Sequence, residues 1–275
     1  MNVDLHVHTT FSDGRLTPAE IVALGVKRGL KTIAITDHDT IDGINPSIQA
    51  AQQFPRLTII PGIEINTDVP QGEVHVLGYF IDYTDKNLID NLDALRDSRE
   101  GRAVQMVDKL RSLGCPLEWQ NIEKLAQGAP ICRPHVAQAM IDAGYVASLK
   151  EAFDTYIGHD GPAYVERKKL LPEEAVRLIA NSRGLPVLAH PADIENLEAL
   201  VATLKNAGLI GIEVYYKNYT RDTINNLLLL CHRYGLIATG GTDYHGFGDA
   251  QEVMIGETNV PYESVERLLA LANHH

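Results

Sequence analysis

Residues 4–14 have the sequence DLHVHTTFSDG, an apolar run that carries two histidines and then becomes polar. If the run is a β-strand, His6 and His8 lie on one face, about 6.5–7 Å apart along the chain. Two imidazoles at that spacing can bind one metal ion, and the Asp13 carboxylate in the following loop can reach a neighbouring ion. A strand whose two histidines are satisfied by other protein groups explains the His-x-His spacing equally well.

Further polar residues lie in or directly after other apolar runs that we interpret as strands. In chain order they are Asp37-His38-Asp39, Glu64, His75, His190, and Asp243 with His245. The active sites of parallel α/β proteins assemble at strand ends, and so many placements there are not expected by chance. A buried glutamate such as Glu64 needs a partner, which a metal ion or a basic side chain would provide. His75 taken alone is more often a satisfied core residue.

The apolar runs alternate with helical segments over most of the chain. They cover residues 3–8, 31–36, 57–65, 74–81, 185–189, 209–214 and 236–240. Continuous apolar strands between helices are typical of a parallel sheet or a barrel. Thr17 to Glu20 has the pattern of a capping box with proline at the first helical position, which predicts a helix that begins there and ends at Gly29.

Residues 82–165 break this alternation. They contain helical patterns at 85–113, 118–126, 134–142 and 149–157, with no strand between them. A helical insert within the barrel is the simplest explanation. The predicted domains are therefore residues 1–81 and 166–275, the two parts of the barrel, and the insert at residues 82–165.

The composition narrows the classes of function. The chain has 36 acidic and 24 basic residues and a net charge of −12, which argues against binding to duplex DNA. A small phosphorylated substrate is compatible with that charge, because bound divalent cations reverse its sign locally. The three cysteines form no CxxC pair, so we expect free thiols in the cytoplasm. No apolar run approaches the ~20 residues that cross a bilayer, and we expect no membrane partner.

Taken in order, the motifs HVH, SDG, TDH, the strand glutamate, the two single histidines and the final DYH resemble those of the PHP (polymerase and histidinol phosphatase) family. The resemblance extends from Asp4 to His245. It implies an α/β fold, a distorted seven-stranded (β/α) barrel with a helical insert domain, built around two or three divalent metal ions. Imidazole and carboxylate ligands suit manganese, zinc or iron, and we expect manganese.

The resemblance also assigns the metal ligands. They are His6, His8, Glu64 and Asp243 at one ion, Glu64 with His75 and His190 at a second, and Asp13, His38 and His245 at a third. Many relatives have histidine where this chain has Asp13, which could change the affinity for the third ion. Asp4, Asp37 and Asp39 are placed to orient ligand imidazoles by hydrogen bonds, or are simple loop carboxylates.

Two segments, SREGR at 98–102 and RPHVA at 133–137, resemble the family's branch of 3′,5′-nucleoside bisphosphate phosphatases. This implies a phosphomonoesterase that uses metal-activated hydroxide to convert adenosine 3′,5′-bisphosphate to AMP and phosphate. Its catalytic residues would be Glu64, Asp243, His190 and His245. The alternatives are a 5′–3′ exonuclease on short 5′-phosphorylated RNA, a histidinol-phosphate phosphatase, and a non-catalytic nucleic-acid or polymerase-associated module.

Six cationic residues of the insert and its exit are predicted to bind a second phosphate of the substrate. They are Arg99, Arg102, Arg133, His135, Lys168 and Lys169. Arg99 and Arg102 share a helix face, and Arg133 lies at a helix start, where free backbone N–H groups favour anions. Any one of these residues alone is more often a solvated surface charge, but their shared location favours a cap that binds phosphate.

Overall fold

The computed structural model describes residues 2–69, 72–126, 131–166, 170–248 and 252–273. The chain forms two compact units, one of residues 1–89 and 170–275 and one of residues 90–169. The first unit contains the seven strands, and the second is helical in its described part. The helical insert predicted at residues 82–165 overlaps the second unit.

The strands form one sheet in which neighbours in sequence are also neighbours in space. They are β1 (Asn2–Val7), β2 (Leu30–Ile35), β3 (Thr58–Val69), β4 (Gly72–Tyr79), β5 (Leu185–Leu188), β6 (Gly211–Tyr216) and β7 (Ile237–Gly241). Past the end of β7, the Tyr244 carbonyl accepts a hydrogen bond from His8 N–H at 3.0 Å, and Tyr244 N–H donates to the His6 carbonyl at 3.3 Å. These bonds join the last strand region to β1, so the sheet is a nearly closed barrel, as predicted.

Strand β4 departs from the parallel arrangement predicted from the apolar runs. The pairs β1–β2, β2–β3, β5–β6 and β6–β7 are parallel, whereas β4 is antiparallel to both β3 and β5. Two residues separate Val69 of β3 from Gly72 of β4. A connection that short joins antiparallel strands, since a parallel crossover needs about a dozen residues or more. The prediction of parallel strands is therefore wrong at β4.

Helices flank the strands and build the second unit. They are α1 (Pro18–Lys27), α2 (Ile44–Ala51), α3 (Lys86–Ser112), α4 (Trp119–Ala126), α5 (Arg133–Asp142), α6 (Leu149–Ala152), α7 (Pro172–Asn181), α8 (Leu197–Ala207), α9 (Arg221–Tyr234) and α10 (Tyr262–Ala272). The predicted capping box of α1 is present: Thr17 Oγ1 accepts a hydrogen bond from Glu20 N–H at 3.3 Å, and Glu20 Oε2 accepts one from Thr17 N–H at 2.8 Å. Gly29, with a φ of 73°, follows the end of α1 in the left-handed region that glycine adopts without strain.

Alternation along β1 decides which of its side chains enter the barrel. Val3 and Leu5 pack in a hydrophobic cluster with residues of α10. Because side chains alternate along a strand, Asp4, His6 and His8 face the opposite side, and all three are buried. The strand thus turns its apolar residues to the helices and its two motif histidines to the inside of the barrel.

The helical unit has a hydrophobic core of its own. Its buried side chains include Met106, Leu110, Ile122, Val136 and Met140. The helix predicted at residues 149–157 is α6 followed by a π-helical turn, Phe153–Ile157. Over the described ranges of both units, no helix is long and apolar enough to span a membrane.

Candidate metal centre

The nine side chains predicted as metal ligands all lie in the barrel unit. His6 lies in β1, His8 directly after it, Asp13 in the loop to α1, His38 after β2, Glu64 in β3, His75 in β4, His190 after β5, and Asp243 and His245 after β7. The structure brings them together, and each has a nitrogen or carboxylate oxygen within 4.0 Å of another member. Residues distant in sequence meet because the parallel strands end at one edge of the barrel, where the antiparallel β4 begins.

Three groups of these side chains place one ligand atom each within 4.8 Å of one another. They are His6, His8, Glu64 and Asp243; His8, Asp13, His38 and His245; and His38, Glu64 and His75. The first group has the four members predicted for one ion. The second contains the three residues predicted for another ion and adds His8. Because the groups share members, ions bound in them would be close neighbours.

Glu64 connects the groups. It is fully buried in β3, and five imidazole nitrogens lie within 3.3 Å of its two oxygens. Those near Oε1 are His75 Nδ1 (2.9 Å) and His190 Nε2 (3.2 Å), and those near Oε2 are His38 Nδ1 (3.0 Å), His6 Nε2 (3.1 Å) and His8 Nε2 (3.3 Å). Each oxygen therefore faces a different set of imidazoles, as a bridging ligand requires.

Two ring nitrogens indicate that the residues present fit metal ions. His8 Nε2 and His38 Nδ1 are buried and have no hydrogen-bond partner among the described residues, although each lies within 3.3 Å of Glu64. Buried polar atoms are almost always satisfied, so these two nitrogens are placed for a further partner. Imidazole nitrogens with carboxylate oxygens form a donor set that suits manganese, zinc or iron.

The histidines keep the carboxylates of the site ionised. Burial raises the pKa of Glu64, but the neighbouring imidazoles, His38 first among them, outweigh it and hold that pKa well below its usual range. For Asp243, burial is likewise outweighed, first by His6, and the pKa lies far below its ordinary value. Burial also opposes ionisation of Asp13, but His38 and other imidazoles lower its pKa. All three are therefore anions at neutral pH, the form that binds a metal ion.

The imidazoles divide into two protonation classes. Burial lowers the pKa of His6, but Glu213 and Glu64 outweigh it, and the pKa lies well above its usual value. Burial also acts against protonation of His8, but the nearby Asp243 and Glu64 carboxylates, 3.1 and 3.3 Å from its Nε2, outweigh it and raise its pKa to about 10. At His38 burial dominates and lowers the pKa to about 3. A metal ion must therefore displace protons from the first two rings, whereas the third is already neutral.

Glu213 is a site residue that the sequence motifs did not identify. It is fully buried in β6, with Oε1 3.0 Å from His6 Nδ1, and its Oε2 accepts a hydrogen bond from the His190 backbone N–H at 2.9 Å. With Nδ1 engaged in this way, the His6 ring presents Nε2 to Glu64. The sequence carried a signal for it, because Glu213 lies in the apolar run GIEVYY just as Glu64 lies in PGIEI.

Asp243 divides its two oxygens between the ligands and the end of β6. Oδ1 lies 3.1 Å from His8 Nε2 and 3.4 Å from His6 Nε2. Oδ2 accepts hydrogen bonds from the Tyr216 hydroxyl at 2.8 Å and from Lys217 Nζ at 2.8 Å. Burial raises the pKa of Tyr216, so its hydroxyl remains a donor at neutral pH. Two donors thus fix one oxygen and leave the other to the imidazoles.

Residues 4–184, more than half of the chain, match the PHP domain family. The chain belongs to the PHP family. A 3′,5′-nucleoside bisphosphate phosphatase from Chromobacterium violaceum is 30% identical to it over 258 residues, which cover 90% of this chain and 88% of that protein. The 5′-3′ exoribonuclease Rnm of Escherichia coli is 32% identical over 250 residues, or 88% of this chain and 84% of that protein. The crystal structure of a candidate metal-dependent phosphoesterase from Bifidobacterium adolescentis matches with a TM-score of 0.84 at 28% identity, over 98% of this chain and 96% of that one.

Two residues of this PHP site have a strained backbone. His190 has a φ of 24° and Asp243 a φ of 51°, positive values that residues other than glycine rarely adopt. Such strain persists only where the surrounding structure enforces it, and it is common at functional sites. Here the bond from His190 N–H to Glu213 and the two donors on Asp243 hold these residues in place.

The sequence left two roles open for Asp4 and Asp37 of the PHP barrel, orienting ligand imidazoles or acting as simple loop carboxylates. Asp4 accepts hydrogen bonds from Thr242 N–H at 2.9 Å and Thr242 Oγ1 at 2.6 Å. Asp37 accepts them from Thr9 N–H and Ser12 Oγ, both at 2.7 Å. Of the two roles left open for these residues, the bonds agree with the second, loop carboxylates that hold the segments carrying the ligands.

The cations predicted to bind a second phosphate belong to the helical unit of the PHP protein. Three of them fall outside the described part of the chain, namely the side chains of Arg99, Lys168 and Lys169. Arg102 Nε donates to the Val165 carbonyl at 2.6 Å, and the Arg133 guanidinium lies 5.4 Å from the centre of the Phe153 ring. His135 Nδ1 accepts a hydrogen bond from the backbone N–H that precedes α5, at 3.1 Å. Their role in substrate binding stays a prediction.

Proposed function

We propose that this PHP protein is a metal-dependent phosphomonoesterase that removes the 3′-phosphate of nucleoside 3′,5′-bisphosphates, such as adenosine 3′,5′-bisphosphate, and leaves AMP and phosphate. The observation behind this proposal is the set of three overlapping ligand groups, two of which share Glu64. The Chromobacterium phosphatase, similar over 90% of the chain, supports the choice of substrate. Manganese is the ion we propose to supply first.

Each part of the site has a task in this reaction. Bound divalent ions lower the pKa of a water molecule and neutralise phosphoryl oxygens. Glu64 would be a ligand shared between ions, since its two oxygens face different imidazoles. Glu213 orients His6, and two donors at the end of β6 orient Asp243. These contacts keep the ligand atoms in position before substrate binds, so little rearrangement is needed during the reaction.

His190 and His245 complete the proposed catalytic set with Glu64 and Asp243. Their side chains are 26% and 12% exposed, whereas Glu64 is fully buried. Both side chains therefore reach solvent, as do those of Asp13, His38 and His75. A phosphate ester that binds at this solvent-reaching part of the cluster would contact His190 and His245.

The phosphate that is retained is assigned to the cations of the helical unit, on the strength of the resemblance of residues 98–102 and 133–137. Arg133→Ala should lower kcat/KM for adenosine 3′,5′-bisphosphate by about tenfold or more, the usual effect of losing a charged hydrogen bond. The same variant should retain most of its kcat/KM for p-nitrophenyl phosphate, which has no second phosphate. Equal losses on the two substrates would show that Arg133 does not contact the retained phosphate.

Hydrolysis of short 5′-phosphorylated RNA from its 5′ end is a second candidate function. The Escherichia coli exoribonuclease is 32% identical over 250 residues, a similarity comparable to that of the phosphatase. Both reactions need a bound 5′-phosphate and cleavage of a phosphate on the 3′ side of the same nucleoside. One site could therefore catalyse both.

The test is phosphate release with manganese from adenosine 3′,5′-bisphosphate, beside 3′-AMP, 5′-AMP and histidinol phosphate. We expect a strong preference for the bisphosphate, AMP as the product, and loss of activity in EDTA. Glu64→Gln is the control that disrupts the site, and His232→Gln changes an exposed histidine of α9 as the matched surface control. Activity that survives EDTA would refute the metal requirement. Equal rates on all substrates would refute the substrate, and faster cleavage of 5′-phosphorylated RNA would favour the second candidate.

A further inference from the structure

Lys217 is a basic residue beside the candidate ligands, and its contacts hold Asp243 in place. Its Nζ lies 2.8 Å from Asp243 Oδ2 and 3.3 Å from the Asp243 carbonyl oxygen. Its side chain is 29% exposed, against 14% for Asp243 and 0% for His6 and His8. The Lys217 side chain therefore reaches solvent, whereas the fully buried His6 and His8 do not.

The ammonium group has hydrogen-bonding capacity left. A lysine has three N–H donors, and Asp243 engages two of those of Lys217. The Tyr216 ring centre lies 5.3 Å from Nζ, a cation–π contact that involves no oxygen or nitrogen acceptor. Among the described residues, no other acceptor lies within hydrogen-bonding distance of Nζ. A ligand oxygen can therefore bind there while the contact with Asp243 persists.

The Lys217 ammonium group is a positive charge close to several acidic side chains. Five acidic side chains lie in or against the ligand groups, namely Asp13, Glu64, Glu73, Glu213 and Asp243. Among the described residues, Lys217 is the one lysine or arginine that forms an ion pair with a candidate ligand. An ammonium group is a compact charge that suits phosphate oxygens. Next to Asp243, it offsets the repulsion between that carboxylate and an incoming phosphate group.

We propose that Lys217 is a substrate-binding residue, which donates a hydrogen bond to a phosphoryl oxygen of a phosphate ester while it holds Asp243. This rests on the proposed phosphoesterase function and adds a contact that the sequence motifs do not indicate. Tyr216 provides the comparison, because its hydroxyl donates to the same Asp243 oxygen at 2.8 Å and has its one proton engaged there. If Lys217 only held Asp243, the two residues would be equivalent. If Lys217 also binds phosphate, replacing it should weaken phosphate binding more than replacing Tyr216 does.

The test measures binding of inorganic phosphate to the manganese-loaded protein and to four variants, Lys217→Met, Lys217→Arg, Tyr216→Phe and Lys205→Met. Lys205 is an exposed lysine of α8 and controls for the loss of a surface charge. Calorimetry gives the Kd for phosphate, and elemental analysis gives the manganese bound per chain. We expect Lys217→Met to raise the Kd about tenfold or more with unchanged manganese content, and Lys217→Arg to recover part of the affinity. Tyr216→Phe should raise the Kd much less, and Lys205→Met should leave it unchanged.

Equal loss of phosphate affinity in Lys217→Met and Tyr216→Phe would overturn the inference, because both changes would then act through Asp243. An unchanged Kd in Lys217→Met would overturn it as well, whether or not manganese is lost. If Lys217→Met does not fold, Lys217→Gln takes its place with the same expectations. A wild-type protein that hydrolyses no phosphate ester would overturn the proposed function together with this inference. Wild-type hydrolysis with normal phosphate binding by Lys217→Met would overturn the inference alone.

Discussion

Glu64 and Glu213 have the same local setting, a glutamate in an apolar strand, yet they approach the same imidazole from opposite sides. His6 lies between them, with Nε2 3.1 Å from Glu64 and Nδ1 3.0 Å from Glu213. A ligand imidazole whose second nitrogen contacts a carboxylate has a fixed tautomer and orientation. Glu213 therefore sets how His6 faces the site, although it is a member of none of the three ligand groups.

Replacing Glu213 by glutamine should weaken manganese binding by about 10–100-fold, because an amide orients the His6 ring less strongly than a carboxylate does. Competition with a chelator of known affinity measures the manganese Kd. Glu198→Gln removes an exposed carboxylate of α8 that pairs with Arg233, and this matched control should leave the Kd unchanged. Wild-type affinity in Glu213→Gln would show that the contact does not govern the orientation of His6.

Manganese binding should release protons and strengthen as the pH rises. The pKa of His8 is about 10 in the folded protein, above its ordinary value, so the ring is protonated at neutral pH and must lose a proton when an ion binds. Below that pKa, affinity should rise about tenfold per pH unit for each proton released. Calorimetric titrations in two buffers of different ionisation enthalpy count the protons. Binding at pH 7 without net proton release would contradict a protonated His8.

The candidate ligands could be predicted from the sequence because each is a polar residue in, directly after or in the loop following an apolar run. Glu213 is likewise a polar residue in an apolar run, and the same reasoning predicts it as a site residue. Tyr216 and Lys217 could not, because their contact with Asp243 exists only when β6 lies beside β7, and the partners are 26 or 27 residues apart in sequence. The apolar runs themselves do not indicate which strands are neighbours in space.

At the level of secondary-structure elements, the contact between β7 and β1 closes the barrel and places Gly241 against His6. A Cβ atom on Gly241 would lie 2.4 Å from His6 Cβ and 2.5 Å from the His6 backbone nitrogen. A rotamer change cannot relieve a clash with a backbone atom. The close approach of the two strands therefore requires glycine at this position.

Gly241→Ala should lower stability by about 1–3 kcal/mol, because the strands must separate to admit the methyl group. It should also weaken manganese binding, since His6 moves with β1. Gly101 of α3 is the matched control: a Cβ there meets nothing within 4 Å, and alanine in a helix is favoured over glycine by up to about 1 kcal/mol. Thermal unfolding followed by circular dichroism compares the two variants. A Gly241→Ala protein with the wild-type Tm and manganese affinity would contradict the tight contact.

The positions of the elements could be predicted within a few residues, but the direction of β4 could not. Caps and apolar runs are local features, and α1 begins at Pro18 as its capping box predicts. The predicted strands ended at residue 65 and resumed at 74, which left residues 66–73 unassigned. In the structure, β3 reaches Val69 and β4 begins at Gly72, and the two strands pair there, with Asn66 opposite His75. Because the residues between the two apolar runs are mostly polar, the runs did not show how short the connection between the antiparallel strands is.

In the whole molecule, the candidate metal ligands belong to the barrel unit, whereas the helical unit has a separate hydrophobic core. The nine candidate ligands are all in the barrel unit, from His6 near its beginning to His245 after its last strand. The core of the helical unit consists of apolar side chains such as Met106, Leu110 and Ile122. An ion that binds only the folded barrel stabilises it by about 2.7 kcal/mol at a concentration of 100 times its Kd. Because the ligands come from most of the strands, that stabilisation should extend across the barrel.

Removing metal with EDTA should therefore speed amide hydrogen exchange in the barrel and leave the core of the helical unit unchanged. The largest effects are expected in β1, in β3 and after β7, the segments that carry His6, Glu64 and Asp243. Mass spectrometry on manganese-loaded and EDTA-treated protein at one pH measures the exchange, and α5 is the internal control. Glu64→Gln should behave like the EDTA-treated protein even with manganese present, which separates ion binding from other effects of the chelator. Equal loss of protection in α5 would show that the two units open together and that the ions stabilise the entire chain.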